Sequence, residues 1–578
     1  MVCGGDWGYD AQAFQLGKWT MRLWLVTLPL LALIPASVGE ATMRPSTADL
    51  LAGISICGDD LPIGATPQLY PGYGNGGFPI TTANPRAQAF FDNGMQLAHA
   101  FAHSAASAAF AEAAKLDPKC AMCEWGAAWS DGPTINFPIG ADQQKAALAK
   151  VLVAEKLLTP QAPQRERDLI AALKLRYVDG GGKGAGDLAF AKAMDALTLR
   201  YPQDDEIATI AADAWMIPTA LTSGTANLPR AVALLEGVLK RNPDYTPAIH
   251  FYIHATEMSG FPKRAEPYAD KLGRLAPASS HLIHMPSHTF YWVGRYQDAA
   301  DANVAAVDLG QSDARIAGLI KPGQVWMLPY HGHNVQYGVG GALISGDGKA
   351  ALALADPLIA ATASLPDPNN LFIQMGVGTA YFAEGRFADP AKVLAMADPG
   401  EKQPYIRQYW QYARGEAQAR LGNAAGVRAE RAKISLPPLP AKPDDLANQS
   451  RQLVRIAQLV LDGRAAMIDK RPELAARAYL AAAKLDEARL MKTLSDPPAW
   501  WYPVRRSYAA ALLAQGKARA AIRQATRVLA RRSNDPVALS IRADAEEALG
   551  MKDAAAADRA AALRGWRGDK TELTPTLA

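Results

Sequence analysis

The sequence lacks most of the features that would declare a function outright. Four cysteines in 578 residues are too few for a fold stapled by disulfides. Charge of neither sign is in excess: 60 Lys and Arg stand against 56 Asp and Glu, a net +4, without the clustered basic surplus of a general nucleic-acid binder. No HExxH, GxSxG or Walker sequence occurs. Val178 to Asp187 (VDGGGKGAGD) has the glycines of a phosphate loop, but no Ser or Thr follows Lys183 and no strand precedes it. Apolar residues make up 49%, which excludes intrinsic disorder.

Only one long apolar run is present, Leu23 to Pro35 (LWLVTLPLLALIP), and it is short for a membrane span. Lys18 and Arg22 precede it, and the small residues Ala36, Ser37, Gly39 and Ala41 follow. This reads as a signal peptide over residues 1–41, with translation starting at Met21 and the mature chain near Glu40 or Thr42. An uncleaved anchor is the other reading. We therefore expect a periplasmic or secreted protein without a stable membrane anchor. Removal of Cys3 leaves Cys57, Cys120 and Cys123, an odd number of thiols.

Repetition is what the chain does have. Residues 42–85 are rich in Gly and Pro and predict an extended arm, and from Ala87 an Ala-rich helical texture runs to the end. A 34-residue frame begun at Ala87 places Gly94 at position 8, Ala106 at 20, Phe110 at 24, Ala113 at 27 and Pro118 at 32. Frames begun at Ala212, Thr246 and Ser280 place Ala231, Ala265 and Ala299 at position 20. Glycine-containing turns between helices are predicted at Gly294, Gly385-Arg386, Gly422-Asn423, Gly516-Lys517 and Gly550-Met551. The fold class is all-α, a tetratricopeptide-like superhelix of helical hairpins, each burying its apolar face on the next. Residues 86–434 form its His-bearing part, 435–446 a Pro-rich linker and 447–578 the final repeats. The arginines of the last part, such as Arg519, Arg523 and Arg527, read as a solvated helical face.

The nine histidines are not scattered: none occurs after His333. His250, His254 and Glu257 stand at i, i+4 and i+7, on one helix face. His281, His284 and His288 share a face if Pro286 lies in a first turn. A further repeat beginning near Gly332, after an inserted stretch 311–330, brings in His333, with His331 and the pair His99 and His103 as weaker candidates. Imidazoles at this spacing are suited to hold a transition metal between successive turns. Met258 and Met285 nearby favour copper, whereas two His and a carboxylate suit zinc or iron. Tyr252, Tyr291, Trp292 and Asn136 are candidate groove residues, and Tyr330 could join them. The Cys120-x-x-Cys123 pair at a helix start is a structural disulfide, a redox pair or a partner of Cys57.

These pieces also resemble a family of exported bacterial tetratricopeptide proteins with His-rich motifs. The matching residues are Phe101-Ala102-His103, Asp117 to Met122 with Trp125-Gly126, Gly132 to Asn136, His250 to Glu257, and His281 to His288. The resemblance spans residues 86–340. It implies the repeat fold and export, and that first-helix positions 2, 5, 9, 12 and 13 line a concave groove, where His250, His254, Glu257, His281, His284, His288, His333 and His99 fall. It adds His103 and Asn136 to the candidates and implies no particular reaction. Two functions follow as expectations. One is a metal-binding protein acting on a small molecule, an oxidoreductase before a hydrolase. The alternative is a metal-free scaffold binding a protein or peptide in its groove. Nucleic acid is not expected as a partner.

Overall fold

Close approach of small residues sets the hairpin geometry. Gly94 and Gly126, on successive first helices, both face the ring of Phe110, and a Cβ on either would overlap it. Ala106 and Ala113 are fully buried beside that ring. The helices Pro85–His99 and His103–Leu116 thus pack with Ala121–Ser130 around one aromatic side chain. Short polar caps start many of these helices: Asn84, Ser279, Asp347, Asn370, Asp444 and Asp535 each accept from a backbone N–H of the first turn.

The computed structural model describes residues 67–573 except 179–184, 223–225, 317–318, 320, 322, 329, 366–369 and 494–495. The expected signal peptide, the first part of the arm and Cys57 lie outside the described residues. Hairpin follows hairpin to Lys552–Gly565, with no strand among the described residues. The fold is an all-α superhelix of helical hairpins. No described helix is long and apolar enough to cross a membrane.

Several local expectations need correction. Gly385 and Arg386 lie inside the helix Leu371–Phe387, because Gly385 faces the backbone of Ala413 at a helix crossing instead of making a turn. Gly294, Gly422, Gly516 and Gly550 do take positive φ at turns. The stretch between the helices is shorter than the expected 311–330, since Tyr296–Ile316 takes up its first six residues and His331–Ser345 follows it. The described part of the arm, residues 67–84, carries no helix and is tied to the repeats. Its residues 72–81 strap the starts of several first helices: Asn75 exchanges hydrogen bonds with Thr246, Ala278 N–H donates to the Gly72 carbonyl, and Thr81 N–H donates to Glu166.

Two long-range closures put the histidine helices at the centre of the molecule. The superhelix brings the end of Pro85–His99 against Thr246–Met258, where His250 meets the His99 carbonyl. From the other side, Tyr296 Oη donates to the Ser533 carbonyl, Arg532 lies over Trp292, and Arg567 N–H donates to the Ser345 carbonyl. The segment 496–502 crosses the first helices, with Pro497 near Gly340 and Trp500 against Phe382 and Tyr412.

Candidate metal centre

His250 and His254 sit on successive turns of Thr246–Met258, and His281 opens the next hairpin. One nitrogen from each lies within 4.8 Å of the others. All three rings are buried, and Phe101, held at φ +57°, stacks on His254 and His281 and meets His250 edge-on. The hydrogen bonds fix the tautomers. His250 Nδ1 is 2.7 Å from the His99 carbonyl, which can only accept, so Nδ1 carries the proton and Nε2 a lone pair. His281 Nε2 lies 3.1 Å from that lone pair. His254 Nε2 and His281 Nδ1 are buried without a hydrogen-bond partner. Burial pushes His250 down to about 3, and holds His254 and His281 well below the usual imidazole range. These rings are neutral at pH 7.

A second triad adjoins the first: His284, His288 and His333. Pro286 has no N–H to give, so the helical ladder breaks between Ser280–His284 and Pro286–Val293. Met285 keeps helical angles across the break, and His288 continues the face of His284. Asn303 Nδ2 donates to the Ala299 carbonyl, which turns its Oδ1 to His284 Nδ1 at 2.6 Å. Glu257 Oε2 accepts from His288 Nδ1 at 2.7 Å. Both Nδ1 atoms therefore spend their protons outward, while the two Nε2 atoms face each other at 2.9 Å. Two lone pairs at that distance repel unless a cation lies between them. Burial lowers His288, but Glu257 and Asp496 carry it up to about 9, so a proton can fill the place of that cation. His333 is pushed down to about 4 by burial, and its Nδ1 has no hydrogen-bond partner.

Glu257 stands behind His288. Its other oxygen accepts from Trp292 Nε1 at 2.7 Å. Asp496 lies 3.3 Å from the same His288 nitrogen. Carboxylates behind a ligating imidazole orient the ring and raise its basicity. Tyr337 places its hydroxyl 3.3 Å from His288 Nδ1.

The remaining candidates are dispersed. His99 bonds Glu206 at 2.5 Å, and only its carbonyl reaches the cluster. His103 borders a cavity of about 20 Å³ with Asp213, Ser130, Thr134 and Arg176, room for about one water. Burial pushes His103 down to about 4 and Asp213 up to about 6. His331 packs edge-on against Trp326. Asn136 donates to Tyr330 Oη at 3.0 Å, and that ring lies against His281, so Asn136 is one side chain removed from the first triad. Tyr291 lies beyond Tyr337, between Tyr296 and Trp292. Tyr252 turns away from the imidazoles: two residues on from His250, it reaches Glu236 and Tyr268 on the outer helices. Cys120 and Cys123 form a buried disulfide at the start of Ala121–Ser130.

Sequence reasoning missed Asp496, Asn303, Tyr337 and Phe101. Phe101 was within reach, because it belongs to the Phe101-Ala102-His103 motif. Asn303 and Asp496 carry no spacing relation to the histidines.

No family model matches the chain, and no curated protein matches it. Solved structures are similar to it in part. The human IFIT1 dimer with m7Gppp-AAAA has 14% identity over 84% of this chain and 91% of its own, with a TM-score of 0.28. Yeast Tom70 has 11% identity, 83% and 90% coverage and a TM-score of 0.28. The P58(IPK) TPR domain has 16% identity, 60% and 90% coverage and a TM-score of 0.19. The functional reading rests on the side chains.

Proposed function

We propose that this protein is exported, loses residues 1–41, and binds a transition-metal ion in its imidazole cluster as a metal-dependent oxidoreductase. The observation that carries the reading is the facing Nε2 pair of His284 and His288, 2.9 Å apart with both Nδ1 atoms committed outward. Buried imidazoles with oriented second nitrogens are the arrangement metal ligation uses. An all-imidazole set suits copper, zinc or iron, and we favour copper for Met258, at the end of the His250 helix, and Met285, next to His284. Three protein ligands leave a coordination position for a small-molecule substrate, which would enter beside Tyr330 and Asn136. Redox chemistry is favoured over hydrolysis because Glu257 and Asp496 lie on the Nδ1 side of His288. Neither carboxylate faces the lone pairs as a base for a metal-bound water would.

A peptide scaffold is the less favoured reading. Pro497, Trp500 and Trp501 of the chain itself cover the inner helices next to the cluster, and a peptide would have to displace them. Elemental analysis of tag-free protein from the periplasm, beside a His284→Ala/His288→Ala variant, tests the proposal. We expect copper in at least stoichiometric amount and a clear loss in the variant. Trace metal that the substitutions leave unchanged would sink it.

A further inference from the structure

We infer that the cluster holds two transition-metal ions side by side, one in each triad, and that a divalent ion fills the His284, His288, His333 site first. The inference rests on the metal-binding reading above. Its first support is geometric. Ligands of one ion can be no farther apart than twice the bond length, about 4.2 Å for imidazole nitrogen. The six rings fall into two sets whose donor atoms lie within 4.8 Å of one another, and no ring belongs to both; a third set, Glu257 and Asp496 with His288, lies on the Nδ1 side of His288 and offers an ion only one ring. Small side-chain movements would close either set on an ion, whereas gathering all six on one ion would require rebuilding the helices that carry them.

The second support is that each set has its own orienting partners. His250 is fixed by the His99 carbonyl, while His284 and His288 are fixed by Asn303 and Glu257. A lone site with a few spare histidines would not need this duplicated support. The sets are also neighbours: ring centroids of His254 and His288 are 5.6 Å apart, and those of His281 and His284 5.9 Å. Ions bound on those rings would be near enough for their unpaired electrons to interact.

The third support separates the two sites chemically. The first triad is surrounded by Phe101 and Phe251 and backed by a neutral carbonyl. The second has Glu257 and Asp496 within 3.3 Å of His288 Nδ1. Two carboxylates offset the charge of a buried divalent ion, and among the described residues no carboxylate bonds a ring of the first triad. The order of filling follows from that difference.

The test is a Cu(II) titration of the chelator-stripped full-length protein without a His-tag, read by equilibrium dialysis with elemental analysis and by electron paramagnetic resonance. We expect a plateau at two equivalents per chain, and a spectrum that changes from an isolated to a spin-coupled or silent centre between the first and second equivalent. His333→Gln should abolish the tighter equivalent and His254→Gln the weaker one, each leaving one isolated signal. A wild-type plateau at one equivalent overturns the inference and leaves metal binding standing. So do two equivalents with undisturbed isolated signals, since the sites would then not be neighbours. No bound copper overturns the metal reading itself, and this inference with it. The wild-type stoichiometry and spectrum do not depend on any variant folding.

Discussion

The hairpins between Pro85 and Ser345 and those between Leu371 and Gly565 are built alike, and both bury a guanidinium with a carboxylate, as Arg176 with Asp187 shows in the earlier part, but only the earlier part adds a cluster of buried imidazoles. In the later part Arg464 Nε reaches both Glu416 oxygens at 3.2 Å. Arg506 Nη1 lies 3.1 Å from Asp535, and the rings of Trp501 and Tyr502 cover its guanidinium. A guanidinium keeps its proton, so a fold that buries one must bring a carboxylate with it. Imidazole can be buried neutral, and six of them were gathered with carboxylates behind only one, His288. Both regions leave single buried atoms without a hydrogen-bond partner: Trp500 Nε1 and Arg506 Nε in the later part, His254 Nε2, His281 Nδ1 and His333 Nδ1 in the earlier. Indole and guanidinium N–H groups have no lone pair to offer a cation. The imidazoles do, and theirs are gathered in two sets, so it is the kind of group and its convergence, not burial alone, that mark the earlier region.

The largest effect should come from breaking a buried ion pair of the later region. Asp535→Ala strands Arg506, which is fully buried with it, and should lower stability by about 3–5 kcal/mol in urea unfolding. Arg506→Met combined with Asp535→Leu should recover most of that. A loss below about 1 kcal/mol for the single change would mean that the pair is not what holds those repeats together.

Next in size is a misfit inside the His-bearing region. Asp213 is buried with Oδ1 unpartnered, and burial raises it from 3.8 to about 6. The fold accepts its neutral form, so its stability contribution is present below 3.8 and lost as pH rises through about 6. Asp213→Asn should therefore stabilise the protein at pH 8 by up to roughly 3 kcal/mol, and by much less at pH 4. His103, across the same cavity, runs the other way. Lowered from 6.5 to about 4, its contribution is present above 6.5 and lost as pH falls through about 4. Unfolding midpoints at the two pH values would settle the signs. Equal gains at both would show that the Asp213 carboxyl is not strained by its burial.

The same contrast governs what could be seen in the sequence. Helical spacing put His250 with His254 and His284 with His288, because partners one turn apart are a local property. The division into two triads was not visible, since it depends on how three hairpins curve. Asp496 comes from a segment laid across the inner face by the closure of the superhelix, and Asn303 from a second helix whose inward side no repeat position marks. Glu257 was legible as a neighbour of the histidines but not as a group standing behind one. Its direction is set by His288 and Trp292 of the next hairpin.

That position gives the third prediction. Glu257→Gln keeps an acceptor near His288 Nδ1 but removes the charge. Loss of such an outer partner should weaken metal affinity 10–100-fold, roughly 1.4–2.7 kcal/mol, with little change in apo stability. Competition dialysis against a chelator of known affinity measures it. An unchanged affinity would place Glu257 among the merely structural carboxylates, like Glu416.

The smallest effect should come from Tyr252, which sits in the His-bearing helix but belongs to the packing. Its hydroxyl donates to Glu236 at 2.8 Å, and its ring meets Tyr268 edge-on. Tyr252→Phe keeps the ring contact and removes one partly exposed hydrogen bond, so stability should fall by about 1 kcal/mol or less. Copper stoichiometry and affinity should not move. Isotherms of wild type and variant measured side by side would show it. A loss of copper at Tyr252→Phe would mean that the outer helices set the geometry of the first triad, and that the ligand site reaches beyond the inner face of this helix.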